Sequence, residues 1–169
     1  MKNIVLTGFM GTGKTAAGRE LSHILDWKLI DVDGEIVRSK EMSISEIFSI
    51  FGEPVFRDIE TEMIREVSVR KNVIISTGGG AVLRKENIDM LRKNGIIVNL
   101  CATAETVLQR TSGSAERPLL QVENPIGRIR ELLEARNPFY QNADVLIDTD
   151  CKSPLQIAGE ILERIGWKK

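Results

Sequence analysis

The sequence predicts an α/β fold in which a parallel sheet of five strands is covered by helices on both faces, forming a three-layer sandwich. Short apolar runs alternate along the chain with longer segments whose apolar residues recur at helical spacing. Such alternation is typical of a parallel sheet whose strands are connected by helices. The 169 residues contain no repeat, low-complexity tract or linker, so we expect a single domain over 1–169 with its own core.

Five apolar runs are the predicted strands. Each is short and rich in Val, Ile or Leu, which favours a strand that is buried on both faces. The runs are NIVLTG (3–8), KLIDVD (28–33), VIIST (73–77), IIVNL (96–100) and VLID (145–148).

Helical periodicity fills the intervals between these strands. The first helix has apolar residues at 17, 21, 24 and 25, which is the i, i+4, i+7, i+8 pattern. Pro54 suits the first turn of a later helix, whereas Pro138 is expected to stop the sixth helix. The predicted helices lie near 14–26, 43–51, 54–70, 84–93, 103–111, 126–136 and 154–165.

The composition is that of an ordinary globular protein. The chain is 42% hydrophobic and 28% charged with a net charge of −1, so we expect no nucleic-acid surface. No apolar run approaches the roughly 20 residues of a membrane span, and the N-terminal run is too short for a signal peptide. Cys101 and Cys151 form no CxxC, which favours two reduced thiols in a cytoplasmic protein. No metal-ligand cluster is apparent, and His23 is expected at the surface.

The segment GFMGTGKT (8–15) matches G-x-x-x-x-G-K-[ST] and lies between a predicted strand and a predicted helix. In that context glycines let backbone N–H groups surround phosphate oxygens, and the helix N-terminus adds a positive dipole end. Lys14 is expected to reach the β- and γ-phosphates of a nucleotide, and the Thr15 hydroxyl to ligate Mg²⁺. The alternative is a glycine-rich turn that binds nothing. The predicted nucleotide contacts of this loop are Gly11, Thr12, Gly13, Lys14, Thr15 and Ala16.

Two aspartates close the second predicted strand. Asp31 and Asp33 are expected at the carboxyl edge of the sheet, where ligands of open α/β sheets bind. Because residues i and i+2 of a strand point the same way, we expect both carboxylates to face the cleft. The alternative is that they are solvated or cap the next helix. DVDG also matches the D-x-x-G of GTPases, but it follows Gly13 by only eighteen residues and no N-K-x-D is present, so we reject that function.

The third predicted strand runs into three glycines in VIISTGGGAV (73–82). In a nucleotide-hydrolysing fold this strand would be expected to end in an aspartate, but here it runs through Ser76 and Thr77 into the glycines. Glycine at such a position indicates either a positive φ or the close approach of another group.

Two arginines are candidates for binding an anionic group. FRDIE (56–60) places Arg57 and Glu60 at i, i+3 of one helix, where Glu60 can hold Arg57 in a chosen direction. The alternative is a surface ion pair that contributes roughly a few tenths of a kcal/mol. Arg136 lies near the end of its predicted helix, so the alternative there is an interaction with the helix C-terminus.

The polar segment 111–125 interrupts the alternation of strands and helices. It contains ERPLL, in which Arg117 precedes Pro118 and is therefore biased toward extended backbone. A lid with a cationic tip is what phosphoryl transfer requires, since it excludes water and supplies charge at the transition state. An exposed loop is the alternative.

The motifs GFMGTGKT, DVD, FRDIE, TGGGAVL, RTSGSAERPLL and ARNPFY have the order and spacing found in shikimate kinases. The chain resembles that family from about residue 3 to residue 165. The resemblance implies the P-loop kinase fold with strand order 2-3-1-4-5, as in nucleoside monophosphate kinases. It implies transfer of the ATP γ-phosphate to the 3-hydroxyl of shikimate with Mg²⁺, in the pathway to aromatic compounds. It also implies a shikimate-binding region at about 33–60 and a lid at about 112–123, and we expect a cytoplasmic monomer.

The same resemblance implies roles for particular residues. Asp33 would hold the reacting hydroxyl, Asp31 would support Mg²⁺ through water, and Arg117 would contact the phosphates; the expected catalytic residues are Lys14, Asp33 and Arg117. The groups that hold the carboxylate and ring of the acceptor would be Arg57, Glu60, the backbone of Gly78, Gly79 and Gly80, Leu119 and Arg136. The glycines would then be bare because the ring lies against their backbone, where a Cβ would intrude.

The adenine site departs from the family pattern at one position. Arg110 would stack on adenine, but the last loop carries Lys152 where the family often has arginine. Lysine cannot stack or fork as arginine does. A contact between Lys152 and the nucleotide is therefore a weaker prediction than the others.

Other functions of a phosphate-binding loop remain as alternatives. The nearest are kinases of another small hydroxy acid such as gluconate, or of a nucleotide, although the acceptor side has few aromatic residues for a base. A non-enzymatic ATP-binding regulator is a further alternative, distinguished by ADP formation that does not depend on an acceptor.

Overall fold

The computed structural model describes residues 2–112 and 122–167, which contain five strands in one sheet. The strands are β1 (Asn3–Gly8), β2 (Lys28–Asp31), β3 (Val73–Ser76), β4 (Gly95–Cys101) and β5 (Val145–Asp148). Each neighbouring pair is parallel, and the order across the sheet is β2-β3-β1-β4-β5. The predicted α/β fold and strand order are both confirmed.

Helices cover both faces of this sheet. They are α1 (Lys14–Leu25), α2 (Val32–Lys40), α3 (Ile44–Ser68), α4 (Lys85–Asn94), α5 (Ala104–Thr111), α6 (Pro125–Tyr140) and α7 (Pro154–Arg164), with a 3₁₀ turn at Ala81–Leu83. None of the described helices is long and apolar enough to cross a membrane.

The core consists of apolar clusters on the two faces of the sheet. Along β1 the side chains alternate, so that Val5 contributes to one cluster and Ile4 and Leu6 to the other. The Val5 cluster includes side chains of α2, α3 and α4, and the opposite cluster includes side chains of α1 and α7. A third cluster under Phe9 joins the turn after β1 to α5 and α6. These three clusters hold the carboxyl ends of the strands in place relative to the helices that follow them.

The segment after β2 is a helix, which the sequence analysis did not predict. β2 ends at Asp31, and Asp33 lies in the first turn of α2. Asp31 caps this helix, since its Oδ1 accepts a hydrogen bond from the Gly34 N–H at 3.4 Å. Val32 and Ile36, one helical turn apart, are both fully buried. The expectation that both aspartates point to one side of a single strand is therefore wrong.

The long helix α3 contains an interruption. Gly52 has φ 80 and ψ 167, so helical backbone stops there and resumes before Pro54. This agrees with the two predicted helices 43–51 and 54–70. The first segment begins with a capping box, in which Ser43 and Glu46 each satisfy a backbone N–H of the other.

The helix α6 continues past Pro138, contrary to prediction. A proline removes one backbone hydrogen bond from a helix interior. In α6 the missing hydrogen bond falls at an exposed position, because Asn137, Pro138 and Phe139 all face solvent. The helix continues to Tyr140, which is buried and donates its hydroxyl hydrogen to the Gly79 carbonyl at 2.8 Å.

Candidate active site

The phosphate-binding loop, residues 8–15, connects β1 to α1 as predicted. Gly13 caps α1 with φ 92, a left-handed conformation that favours glycine. The ammonium group of Lys14 donates to the carbonyl oxygens of Gly8 and Phe9, both at 2.8 Å. Lys14 thus lies across the loop, at the place where phosphates of a nucleotide would be bound.

Thr15 and Asp31 are brought together beside this loop. The Thr15 hydroxyl donates to Asp31 Oδ2 at 3.4 Å. No cluster of three or more His, Cys, Asp or Glu able to hold a metal occurs among the described residues. Mg²⁺ needs only one or two protein oxygens when phosphates supply others. A hydroxyl and a carboxylate next to a phosphate-binding loop therefore fit Mg²⁺.

Asp33 lies near these groups with one oxygen covered. Its Oδ1 is buried and has no hydrogen-bond partner. Burial raises the pKa of Asp33, and Asp31 raises it further, whereas Lys14 and Arg57 lower it. A carboxylate oxygen in this position lacks a donor, which an acceptor hydroxyl would supply.

Arg57 and Glu60 form a buried ion pair rather than a surface one. The distance from Arg57 Nη1 to Glu60 Oε2 is 2.7 Å, and the Glu60 side chain is 0% exposed. Glu53, which is half exposed, binds Nη2 of the same guanidinium at 3.0 Å. Burial raises the pKa of Glu60 although Arg57 opposes it. Burial would lower the pKa of Arg57, but Glu60 and Glu53 outweigh it and raise that pKa.

The three glycines after β3 lie against these charged side chains. None of Gly78, Gly79 and Gly80 has a positive φ, so close approach explains them better than backbone conformation. A Cβ on Gly78 would lie 2.7 Å from Glu60 Oε1 and 2.8 Å from Asp33 Oδ1. A Cβ on Gly80 would overlap the Arg57 guanidinium. Side chains of the protein itself thus lie where the Cβ atoms of residues 78 and 80 would be placed.

Arg136 faces the phosphate-binding loop from α6. It is 8% exposed, and its guanidinium carbon lies 5.7 Å from the centroid of the Phe9 ring. Since α6 continues to Tyr140, Arg136 is not at the helix C-terminus and the alternative proposed for it is wrong. Burial raises the pKa of Tyr140, whereas the charges of Arg136 and Arg57 lower it, which places both arginines near the same hydroxyl.

Tyr140 itself was missed by the sequence analysis. Its spacing of i+4 from Arg136 in ARNPFY puts it on the same face of α6, and this was the available signal. By bonding the Gly79 carbonyl, Tyr140 connects α6 to the glycine segment.

The two predicted adenine contacts have different surroundings. Arg110 donates to the Gly11 carbonyl at 3.3 Å and to Thr149 at 3.0 and 2.8 Å. Lys152 instead binds Glu160 of α7 at 2.6 Å. Residues 113–121 of the predicted lid 112–123, which include Arg117 and Leu119, lie outside the described residues.

A cavity of about 310 Å³ lies behind the phosphate-binding loop. Its lining residues come from the loop, the end of β4 and the face of α6, and include Phe9, Thr12, Asn99, Cys101, Leu133 and Tyr140. None of the predicted acceptor residues that the structure describes lines it. This cavity is therefore separate from the Arg57–Glu60 pair and Asp33, on which the predicted acceptor site depends.

Comparison with known proteins agrees with this geometry. A shikimate kinase family model matches residues 10–166. The shikimate kinase of Thermodesulfovibrio yellowstonii is 50% identical over 96% of this chain and 94% of its own length. That of Caldicellulosiruptor bescii is 48% identical, with the same two coverages.

Solved structures give the same result. A shikimate kinase from Acinetobacter baumannii in complex with shikimate has a TM-score of 0.94 and 41% identity, covering 98% of this chain and 93% of that one. A sugar kinase from Janibacter and a gluconokinase from Sinorhizobium meliloti, at 17% and 16% identity with TM-scores of 0.60 and 0.61, share the fold alone. The family match over nearly the whole chain and the relatives at about half identity show that this chain belongs to the shikimate kinase family.

Proposed function

We propose that this chain transfers the γ-phosphate of ATP to the 3-hydroxyl of shikimate, giving shikimate 3-phosphate and ADP. The observation that carries the proposal is the buried Arg57–Glu60 pair beside Asp33, packed on the glycines next to a phosphate-binding loop. A related enzyme at 41% identity has been solved in complex with shikimate.

The acceptor side offers cationic groups for a carboxylate. Arg57 and Arg136 are both largely buried, and each presents a planar guanidinium that can grip a carboxylate with two hydrogen bonds. Glu53 accepts hydrogen bonds from Nε and Nη2 of Arg57 and Glu60 accepts one from Nη1, so that together they limit its rotation. We propose that shikimate lies between these arginines, with Leu119 and the backbone of Gly78–Gly80 against its ring, in a binding region of about 33–60.

The reacting hydroxyl is assigned to Asp33. Its buried oxygen has no donor, and its raised pKa makes it a stronger base than an exposed aspartate. We propose that Asp33 accepts the hydroxyl hydrogen and directs the oxygen toward the γ-phosphate.

The nucleotide side is assigned to the phosphate-binding loop. Backbone N–H groups of Gly11 to Ala16 would surround the phosphates, and Lys14 would exchange its two carbonyl partners for phosphate oxygens. Thr15 and Asp31 would hold Mg²⁺, the latter through water; the ion, when bound, neutralises charge on the phosphates. Arg117, in a lid at 112–123, would contact the transferring phosphoryl group, and Arg110 and Lys152 would lie near the adenine. We further propose that the chain acts as a cytoplasmic monomer with reduced Cys101 and Cys151.

The test is ADP formation measured with no acceptor, with shikimate and with a panel of hydroxy acids that includes gluconate. We expect turnover that depends on shikimate and falls by orders of magnitude in Lys14→Ala, which should still fold cooperatively. Equal ADP formation without an acceptor would favour a regulator instead. Faster turnover with gluconate than with shikimate would contradict the acceptor assignment.

A further inference from the structure

Arg110 connects α5 to two loops at the carboxyl edge of the sheet. It lies in the last turn of α5, and its guanidinium donates both to the phosphate-binding loop and to the residue that follows β5. The bond to Gly11 O is 3.3 Å long, and those to Thr149 Oγ1 and Thr149 O are 3.0 and 2.8 Å long. These donors leave from the edges of the guanidinium, so its flat face stays available to a ring.

Thr149 is a fixed anchor for this arginine. It is 0% exposed, and both its N–H and its hydroxyl donate to the Cys101 carbonyl at 2.9 Å. A hydroxyl has one hydrogen and two lone pairs, so Thr149 Oγ1 can donate to Cys101 and accept from Arg110 at once. The position of Arg110 is thereby set by the ends of β4 and β5.

Gly11 is pressed against the same helix. It has φ 75, and a Cβ at this position would lie 2.9 Å from Thr111 Cγ2. Because a trans peptide is planar, fixing the direction of the Gly11 C=O also fixes the opposite direction of the Thr12 N–H. That N–H closes the turn onto Phe9 O at 3.4 Å, and the Thr12 hydroxyl donates to the same oxygen at 2.7 Å. This turn leads directly into Gly13 and the N-terminus of α1.

We propose that Arg110 is a positioning residue for the phosphate-binding loop: by holding the Gly11 carbonyl against the anchored Thr149, it keeps the loop in the shape that binds phosphates. The proposal rests on nucleotide binding at this loop, as in the proposed function. It goes beyond a stacking contact with adenine, because it makes Arg110 contribute to binding of the phosphates themselves.

A ligand that has phosphates but no base distinguishes positioning of the phosphate-binding loop from stacking on adenine. Mg²⁺ with inorganic tripolyphosphate presents the phosphate chain of ATP and no adenine, and Mg²⁺ with ADP presents both. Affinities of the wild type, Arg110→Ala, Arg110→Lys and Thr149→Val are measured by isothermal titration calorimetry. We expect Arg110→Ala to lower the affinity for tripolyphosphate about tenfold. Arg110→Lys should restore little of that affinity, since lysine cannot bridge two loops with a fork. If Arg110 only stacks on adenine, Arg110→Ala will lower the affinity for ADP and leave the affinity for tripolyphosphate unchanged. That result would overturn the proposal.

Thr149→Val tests the anchor while the arginine and its charge remain. It keeps the side-chain shape and removes Oγ1, one of the two Thr149 oxygens that accept from Arg110, while the bond to the backbone oxygen remains; we therefore expect the affinity for tripolyphosphate to fall only about threefold. This variant also distinguishes positioning of the loop by Arg110 from a direct electrostatic attraction between Arg110 and phosphate, since the charge of Arg110 is kept. Unchanged tripolyphosphate affinity in Thr149→Val would contradict the proposal, and this holds even if Arg110→Ala does not fold.

Arg130→Ala is the matched control. Arg130 on α6 ties α5 through Glu105 at 2.5 Å, but both side chains are more than 60% exposed and neither bonds the loop in the described structure. We expect this variant to bind tripolyphosphate as the wild type does. If Arg130→Ala lowered the affinity for tripolyphosphate as much as Arg110→Ala does, any side-chain contact that holds α5 would have the same effect. That result would overturn the specific role of Arg110.

Shikimate affinity should stay unchanged in all variants, whereas a general loss of structure would lower it. A wild type that binds ADP but not tripolyphosphate would also refute the proposal, and one that binds neither would refute the nucleotide site itself.

Discussion

The glycines after β3 are explained by what lies next to them. Gly78 adjoins two carboxylate oxygens and Gly80 adjoins a guanidinium, and all three charged groups come from the protein. Large side chains here would push Arg57 away from Glu60, whose second oxygen is buried without a partner. Breaking a buried ion pair is costly because it leaves an uncompensated charge.

Gly80→Ala should therefore impair acceptor binding. The added methyl overlaps the Arg57 guanidinium, which must move away from Glu60 and Glu53. A hydrogen bond to a charged group contributes about 1.5–3 kcal/mol, so we expect the KM for shikimate to rise about tenfold or more. The KM for ATP should change little. Steady-state kinetics with shikimate varied at saturating ATP measures both.

Gly159→Ala serves as the control for this substitution. Gly159 lies in α7, far along the chain from the site, and nothing lies within 4 Å of the position that an added methyl group would take. Alanine in a helix is more favourable than glycine by roughly 0.5–1 kcal/mol, so stability should rise slightly and KM stay constant. A Gly80→Ala enzyme with wild-type KM for shikimate would show that Arg57 does not contact the acceptor.

The sequence pointed to Asp33, Arg57 and Glu60, which the structure brings close together, but it gave no indication of their burial. The spacing of Arg57 and Glu60 is the same in a surface pair and in a buried one. In the structure Glu60 lies beside Gly78 and is fully buried, which the spacing alone does not indicate. Likewise, Asp33 was predicted at the site but on a strand, since nothing in KLIDVD marks the residue where strand changes to helix.

At the scale of elements, the strands and most helices followed from periodicity, and the main errors are one missed helix, α2, and the C-terminal end of α6. α2 was missed because it is short and contains Gly34, so that its apolar stripe is reduced to Val32 and Ile36. α6 was predicted too short because Pro138 is a strong local signal against a helix. Tertiary contact reverses that signal, as Tyr140 is buried and bonded to the segment after β3.

Tyr140→Phe tests this contact between α6 and the glycine segment. The substitution keeps the ring and removes the hydroxyl, leaving the Gly79 carbonyl without this donor. The net contribution of a typical hydrogen bond is about 0.5–1.5 kcal/mol, and Gly79 is only partly buried, so the free energy of unfolding should fall by about that amount. Urea denaturation of both proteins gives the difference. Phe139→Leu, at an exposed position on the same helix, should be nearly neutral. Equal stability of Tyr140→Phe and the wild type would mean that the bond contributes nothing.

At the scale of the whole molecule, charged residues of both signs are concentrated at the site, although the net charge of the chain is only −1. Asp33 is influenced by the charges of Asp31, Lys14 and Arg57. Glu60 is influenced by those of Arg57, Asp33 and Arg84, so both carboxyl groups experience charges of both signs. The sheet makes this possible, since the carboxyl ends of β1, β2 and β3 meet at one edge. Composition alone gives no indication of such a cluster.

Buried carboxyl groups should make the stability of the molecule depend on pH. Burial raises the pKa of Glu60 above its ordinary value of 4.5, with Arg57 opposing and Asp33 adding to the increase. A carboxyl with a raised pKa binds its proton more tightly in the folded state than in the unfolded chain. Its contribution to the free energy of unfolding is therefore fully present below 4.5 and is lost as pH rises through the folded value.

Glu60→Gln isolates this contribution, because glutamine has the same shape and no proton to lose. Loss of the ion pair to Arg57 should lower its stability, but the difference from the wild type should move in favour of the variant as pH rises from about 4 to about 7. Urea denaturation at a series of pH values measures that difference. Glu53→Gln is the matched control, since Glu53 binds the same guanidinium from a half-exposed position. We expect Glu53→Gln to lower stability less than Glu60→Gln does, because a half-exposed ion pair contributes less than a buried one. If the Glu60→Gln difference were constant across the range, Glu60 would keep an ordinary pKa and its burial would be fully compensated by Arg57.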